Sequence, residues 1–316
     1  MSFDHSISRR SVFKGAGGLA VASALGAGAA LGATTPAHAA GLDVVEHQTY
    51  GRMEYYKVST PSIAWKPRVN VLLPDGYDSG RRYPVLYLLH GGAQNFMKFD
   101  KEDDIRGLTA GRDLIVVMPD GGIAGWYCNP VTANLGPRNW ETFHIEELIP
   151  WVDATFRTFP EQAGRAVSGF SMGGFGALKY TAKYYGHFAS VSSHSGPASL
   201  RSINGAVAHW ANASSTIDLG GGTVYGTPWD QARVSADNPV ERIESYRGKR
   251  IFLVSGTEAF DVNEGFVLPT QREFAAALDR AGIHYERHEE PGGHFVRRER
   301  LQQDIDGVIA HLRKAG

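Results

Sequence analysis

Apolar positions along this chain fall into short unbroken runs separated by stretches of helical period. Tyr83-Pro-Val-Leu-Tyr-Leu-Leu-His90, Leu114-Ile-Val-Val-Met-Pro-Asp120 and Ile251-Phe-Leu-Val-Ser255 are apolar nearly throughout. A strand with one wet face alternates apolar and polar residues, so unbroken runs predict strands buried on both faces of a parallel sheet. A β-rich region, 44–73, precedes them, and helical spacing predicts helices over 142–156, 270–281 and 301–314. Strands alternating with helices indicate an α/β class fold, a mostly parallel central sheet with helices on both faces. Over 199–244 the pattern dissolves into Gly-, Ser- and Trp-containing sequence. That stretch reads as an irregular excursion over the sheet edge, a common place for substrate walls.

The first part of the chain follows other rules. Ser8-Arg-Arg-Ser-Val-Phe-Lys14, a weakly apolar Gly/Ala run over 15–32, and Ala37-His-Ala39 have the layout of a twin-arginine export signal with its cleavage site. The expected organisation is therefore a signal at 1–39, removed, and a single catalytic domain at 40–316. Such a protein is secreted or held in the cell envelope, with no stable membrane insertion after cleavage. A formal charge of −1 without a basic block argues against nucleic acid as a partner. Cys128 is the only cysteine, so no intrachain disulfide can form.

Gly169-Phe-Ser-Met-Gly173 matches G-x-S-x-G around Ser171. A β-prone run at 165–168 leads in and a helix-compatible run at 175–185 leads out, the strand–turn–helix setting of a nucleophile elbow. A serine hydroxyl needs a base to take its proton, and the base needs an orienting acid. Among 12 histidines, His294 stands in a Gly-rich loop, Glu289-Glu-Pro-Gly-Gly-His-Phe295, between the last expected strand and the C-terminal helix. His284 and His288 fall in that strand, while His144 and His311 fall in helices. For the acid, Glu258, Asp261 and Glu264 all qualify by position after the strand ending near Ser255. An oxyanion hole needs two backbone N–H groups. Met172, next to the nucleophile, supplies one, and Leu89-His-Gly-Gly-Ala-Gln94 offers the other, Gly92 first and Ala93 next. His90 and Trp140 are candidate substrate contacts, and Trp126, Trp210 and Trp229 candidate pocket walls. Asp100 to Asp104 lacks calcium-loop spacing and His144-Ile-Glu-Glu147 is no zinc-helix motif, so no metal or cofactor is expected.

With these elements in place, the chain resembles the secreted esterase family of α/β-hydrolases, which includes esterase D-like enzymes, feruloyl esterases and mycolyltransferases. The resemblance rests on Tyr87-Leu-Leu-His-Gly-Gly92, Gly125-Trp-Tyr127 with Asn139-Trp-Glu-Thr-Phe143, Gly169-Phe-Ser-Met-Gly-Gly174, Ala236-Asp-Asn-Pro239 and Gly292-Gly-His294. It implies an α/β-hydrolase fold and prefers Glu264 as the acid, on a loop before the penultimate helix, with Asp261 the alternative. Mycolyltransferases carry Asp-Gly-Leu-Arg where this chain has His90-Gly-Gly-Ala93, and a Ser-Trp pair where Phe295-Val296 stands. Both departures weigh against transfer to trehalose. The expectation is an exported serine esterase using Ser171, His294 and Glu264 through an acyl-enzyme, on a small-molecule ester or acyl-lipid. The alternatives are acyl transfer to a sugar or lipid hydroxyl, and a cell-envelope binding protein on a hydrolase fold.

Overall fold

Apolar runs become the centre of a single sheet in the computed structural model, which describes residues 41–77, 80–258 and 260–316. Among the described residues the sheet has nine strands: β1 (Asp43–Tyr50), β2 (Met53–Ser59), β3 (Arg68–Leu72), β4 (Val85–Leu89), β5 (Ile115–Pro119), β6 (Arg165–Phe170), β7 (Ser190–His194), β8 (Arg250–Gly256) and β9 (Glu286–Glu290). Their order is β1-β2-β3-β5-β4-β6-β7-β8-β9, antiparallel as far as the β3/β5 pair and parallel beyond it. The signal expected at 1–39 lies outside the described residues.

Successive residues of a strand point to opposite faces. In β4, Val85, Tyr87 and Leu89 join one core while Leu86 and Leu88 join the other, and Ile115/Val117 against Val116/Met118 divide β5 likewise. Among the described residues, six α-type helices of seven residues or more complete the layers: α1 (140–155, widening into a π-type turn at Phe143–Leu148), α2 (Met172–Lys183), α3 (Ser202–Ser215), α4 (Gln231–Asp237), α5 (Val262–Arg280) and α6 (Arg298–His311). The first core takes side chains such as Trp151, Phe175, Val207 and Phe274 from α1, α2, α3 and α5. The second takes Leu301, Ile305 and Val308 from α6. Helices thus cover both faces of a mostly parallel sheet, as the sequence pattern predicts.

One strand carries no such pattern, and three local expectations need correction. Strand β7 carries no apolar run. Two of its polar side chains meet a buried hub instead: Asp304 of α6 accepts from Ser192 Oγ (2.5 Å) and pairs with His194 Nε2 (3.0 Å), and it also accepts from Ser168 Oγ of β6 (2.9 Å) and Arg250 Nη1 of β8 (2.8 Å). Helix α5 starts at Val262, not near Thr270, and runs through Pro269. Its first turn is fixed by Asp261, whose carboxylate accepts the N–H groups of Asn263 and Glu264. Residues 199–244 contain α3 and α4, with left-handed backbone at Ile203, Asn204 and Gly205 marking the entry to α3. A smaller shift concerns β9, which begins at Glu286, so His284 precedes it.

Candidate active site

The parallel strands end at one edge of the sheet, and the loops that leave them converge there. Ser171 follows β6 directly, with φ 55° and ψ −119°, as the N-cap of α2. A non-Gly residue held in such backbone costs on the order of 1–3 kcal/mol, so its surroundings must impose it. The Ser171 N–H donates to His194 O (2.8 Å), and Ser171 O accepts from Phe175 N–H (3.1 Å). Close approach explains the flanking glycines. A Cβ on Gly169 would stand 2.3 Å from the Gly173 backbone, and one on Gly173 would stand 2.1 Å from Leu89 O.

His294 comes back over this serine from the loop after β9. Its Nε2 lies 2.7 Å from Ser171 Oγ, and its Nδ1 lies 3.1 Å from Glu264 Oε1. With Nδ1–H donating to the carboxylate, Nε2 presents a lone pair to the serine O–H. Glu264 is only 1% exposed and sits within the first turn of α5, not on a loop ahead of it. Asp261 does not reach the ring; its Oδ2 accepts the backbone N–H of His294 (2.9 Å). Slight burial opposes its ionisation, but the N–H donors of His294, Glu264 and Asn263 hold its carboxyl below the usual range. The two acids therefore separate by geometry: Glu264 meets the imidazole, and Asp261 ties the His294 loop to the helix that carries Glu264.

Two N–H groups near the serine are candidates for holding an oxyanion. Met172 is the first residue of α2, with no preceding helical turn to bond. In the loop after β4, the Ala93 N–H donates to Ile123 O (2.7 Å), which leaves Gly92 as the candidate there. Gly92, Met172, Ser171 and His294 border one cavity of about 360 Å³. Trp126 and Trp210 line it too, with Ala124, Ile217 and Asn263. A larger, shallower hollow beside Asp279, His284 and Arg287 contains none of these groups.

The expected substrate contacts His90 and Trp140 are both buried, and neither lines this cavity. His90 is 1% exposed; its Nδ1–H donates to Gly91 O (2.8 Å) and its Nε2 accepts from Gly121 N–H (2.9 Å). Burial lowers its pKa to about 4, so the ring is a neutral brace between two loops. Trp140 is fully buried against Trp65, Phe143 and His144. Trp229 packs on His209 instead of the cavity. Cys128 is buried beside Lys179, and burial pushes its thiol up to about 12, far from a reactive thiolate.

The family model described as "Putative esterase" matches residues 60–306. Esterase Rv1288 of Mycobacterium tuberculosis is 63% identical over 287 residues, covering 87% of this chain and 63% of that protein. The chain thus spans less than two thirds of the length of the curated relatives it matches. Among solved structures, a ferulic acid esterase superposes with TM-score 0.64 at 22% identity, over 83% of this chain and 98% of that one. An S-formylglutathione hydrolase from Agrobacterium tumefaciens gives 0.69 at 17% identity, over 86% and 100%. At such identities these two likenesses concern the fold.

Proposed function

Since the chain belongs to the esterase family, we propose that it is a serine esterase working through an acyl-enzyme. Ser171 Oγ attacks the ester carbonyl carbon while His294 Nε2 takes its proton, and Glu264 stabilises the imidazolium that forms. The oxyanion lies between the N–H groups of Gly92 and Met172. Collapse of the tetrahedral intermediate breaks the bond to the alcohol oxygen, which leaves with the proton from His294. Water then attacks the acyl-serine, His294 again acting as base, and the acid departs as Ser171 recovers its proton. The observation that carries this reading is the 2.7 Å contact from Ser171 Oγ to His294 Nε2, backed by Glu264 at 3.1 Å.

A serine-reactive fluorophosphonate probe tests it. The native chain labels, while Ser171→Ala does not label and loses ester turnover by several orders of magnitude. A labelled alanine variant, or native protein that never labels, refutes the reading; the latter result would favour a binding protein on this fold. Export by the twin-arginine route is part of the proposal, and Arg9→Lys with Arg10→Lys should retain the protein in the cytoplasm. Continued export of that variant would refute it.

A further inference from the structure

The cavity beside Ser171 has a back wall built from three separate segments. The Trp126 indole Nε1–H donates to Ser214 Oγ (2.8 Å), whose own O–H donates to Trp210 O (2.7 Å). The Trp126 ring stands edge-on to Trp210 at 5.1 Å and to Phe175 of α2 at 5.7 Å. The Trp126 backbone has φ 52°, and its N–H meets Met172 Sδ at 3.3 Å. Trp210 is braced from behind by Phe266 of α5, ring centroids 6.1 Å apart. The indole N–H and the hydroxyl are thus occupied within the wall, which presents carbon surface to whatever enters.

The reaction geometry says which part of an ester meets this wall. The carbonyl oxygen must face the N–H groups of Gly92 and Met172, and the leaving oxygen must face His294 Nε2. The remaining substituent on the carbonyl carbon is the acyl chain, and Trp126 and Trp210 line the same cavity as these groups. A cavity of about 360 Å³ is at the small end for a small-molecule site. At roughly 30 Å³ for each heavy-atom-sized group, it encloses about a dozen non-hydrogen atoms, the ester included, so about six to eight acyl carbons.

Resting on the esterase reading, we infer that the Trp126–Ser214–Trp210 wall stops one side of this half-open cavity and makes it an acyl pocket that sets a chain-length ceiling and selects esters of compact acyl groups. The test uses the full chain and nitrophenyl esters from acetate through octanoate to palmitate, below their aggregation limits, so that only the acyl part varies. In the native protein kcat/KM rises about four-fold per methylene while the chain is being buried, then levels or falls at about six to eight carbons. Trp210→Ala moves the break to longer chains. Ala124→Val, filling the cavity from a lining position, moves it to shorter ones and covers the case in which the first variant fails to fold.

A native kcat/KM that climbs all the way to palmitate overturns the inference. So does a break that Ala124→Val leaves unmoved in a folded protein. Absence of both fluorophosphonate labelling and hydrolysis of any ester would instead refute the esterase reading. A labelled, active enzyme indifferent to acyl length refutes the pocket alone.

Discussion

Neutralising Glu264 and Asp261 one at a time separates two roles that their shared neighbourhood conflates. Glu264→Gln keeps the shape of a side chain that is 1% exposed but removes its charge. One of its oxygens meets His294 Nδ1 at 3.1 Å, and the other has no partner among the described residues, so nothing nearby replaces the charge. As the base of the proposed reaction, the imidazole gains its charge at the tetrahedral intermediate, and the loss falls there. A unit pair about 4 Å apart is worth about 4 kcal/mol at an effective dielectric near 20. That is about a thousand-fold in rate, and disturbing the tautomer extends it toward ~10⁴. The loss should fall on kcat with KM nearly unchanged, because the interaction strengthens only as charge develops. Asp261→Asn keeps an oxygen for the N–H groups of Asn263 and Glu264 but loses the charged acceptor of the His294 N–H. We expect a stability loss of about 1–2 kcal/mol and a kcat loss of about ten-fold. Steady-state kinetics on a nitrophenyl ester, per mole of protein shown folded by circular dichroism, decides. The assignment is wrong if Asp261→Asn is the more damaging change, or if Glu264→Gln keeps more than a tenth of native kcat.

Three further outcomes follow from the same geometry. His90→Phe preserves bulk but removes the bonds to Gly91 O and Gly121 N–H; with Gly92 no longer held, kcat should drop about 10- to 100-fold at little change in KM, and an unchanged kcat would mean His90 only fills space. Burial holds His90 at about 4 and His144 at about 3, both neutral in the fold, and raises Asp120 to about 6. The unfolded chain protonates both histidines near 6.5, while its Asp120 stays ionised, so two protons less one leaves stability full above about pH 6.5 and falling by ~1.4 kcal/mol per unit between about 6 and 5; a urea midpoint that rises on acidification contradicts this. Finally, with Ala93 where an acceptor-binding Arg would stand, hydrolysis should dominate even with millimolar trehalose; acylated trehalose as the major product by mass spectrometry would make this a transferase.

Strands β4, β5 and β8 were legible because burial on both faces leaves an apolar run, and β6 with Ser171 because the elbow is a local motif. Other features depend on partners far along the chain. Ser190-Val-Ser-Ser-His194 has little apolar content to mark a buried strand, and becomes one because Asp304, on the last helix, gathers its polar groups. His90 and Trp140 have the right chemistry for a binding site, but residue type does not say where a side chain points. Both turn inward, while Trp126 and Trp210 border the cavity.

The acid shows how a tertiary cause hides a signal that was present. The residues alone leave Glu258, Asp261 and Glu264 open by position, with the helix expected only from 270. Yet Glu264, Val267, Gln271 and Phe274 are all buried, at the spacing of three and four that defines one helical face. Extending that period back through Pro269 puts Glu264 on the inward stripe. It puts Asp261 at the cap, where a carboxylate bonds backbone N–H groups and not an imidazole. What the period could not show is what else the cap holds. In the structure the cap is reinforced by a bond outside the helix, from the His294 N–H to Asp261. The helix start and the placement of the base are thus one arrangement, and for that reason Asp261→Asn should loosen His294 without depriving it of its acid.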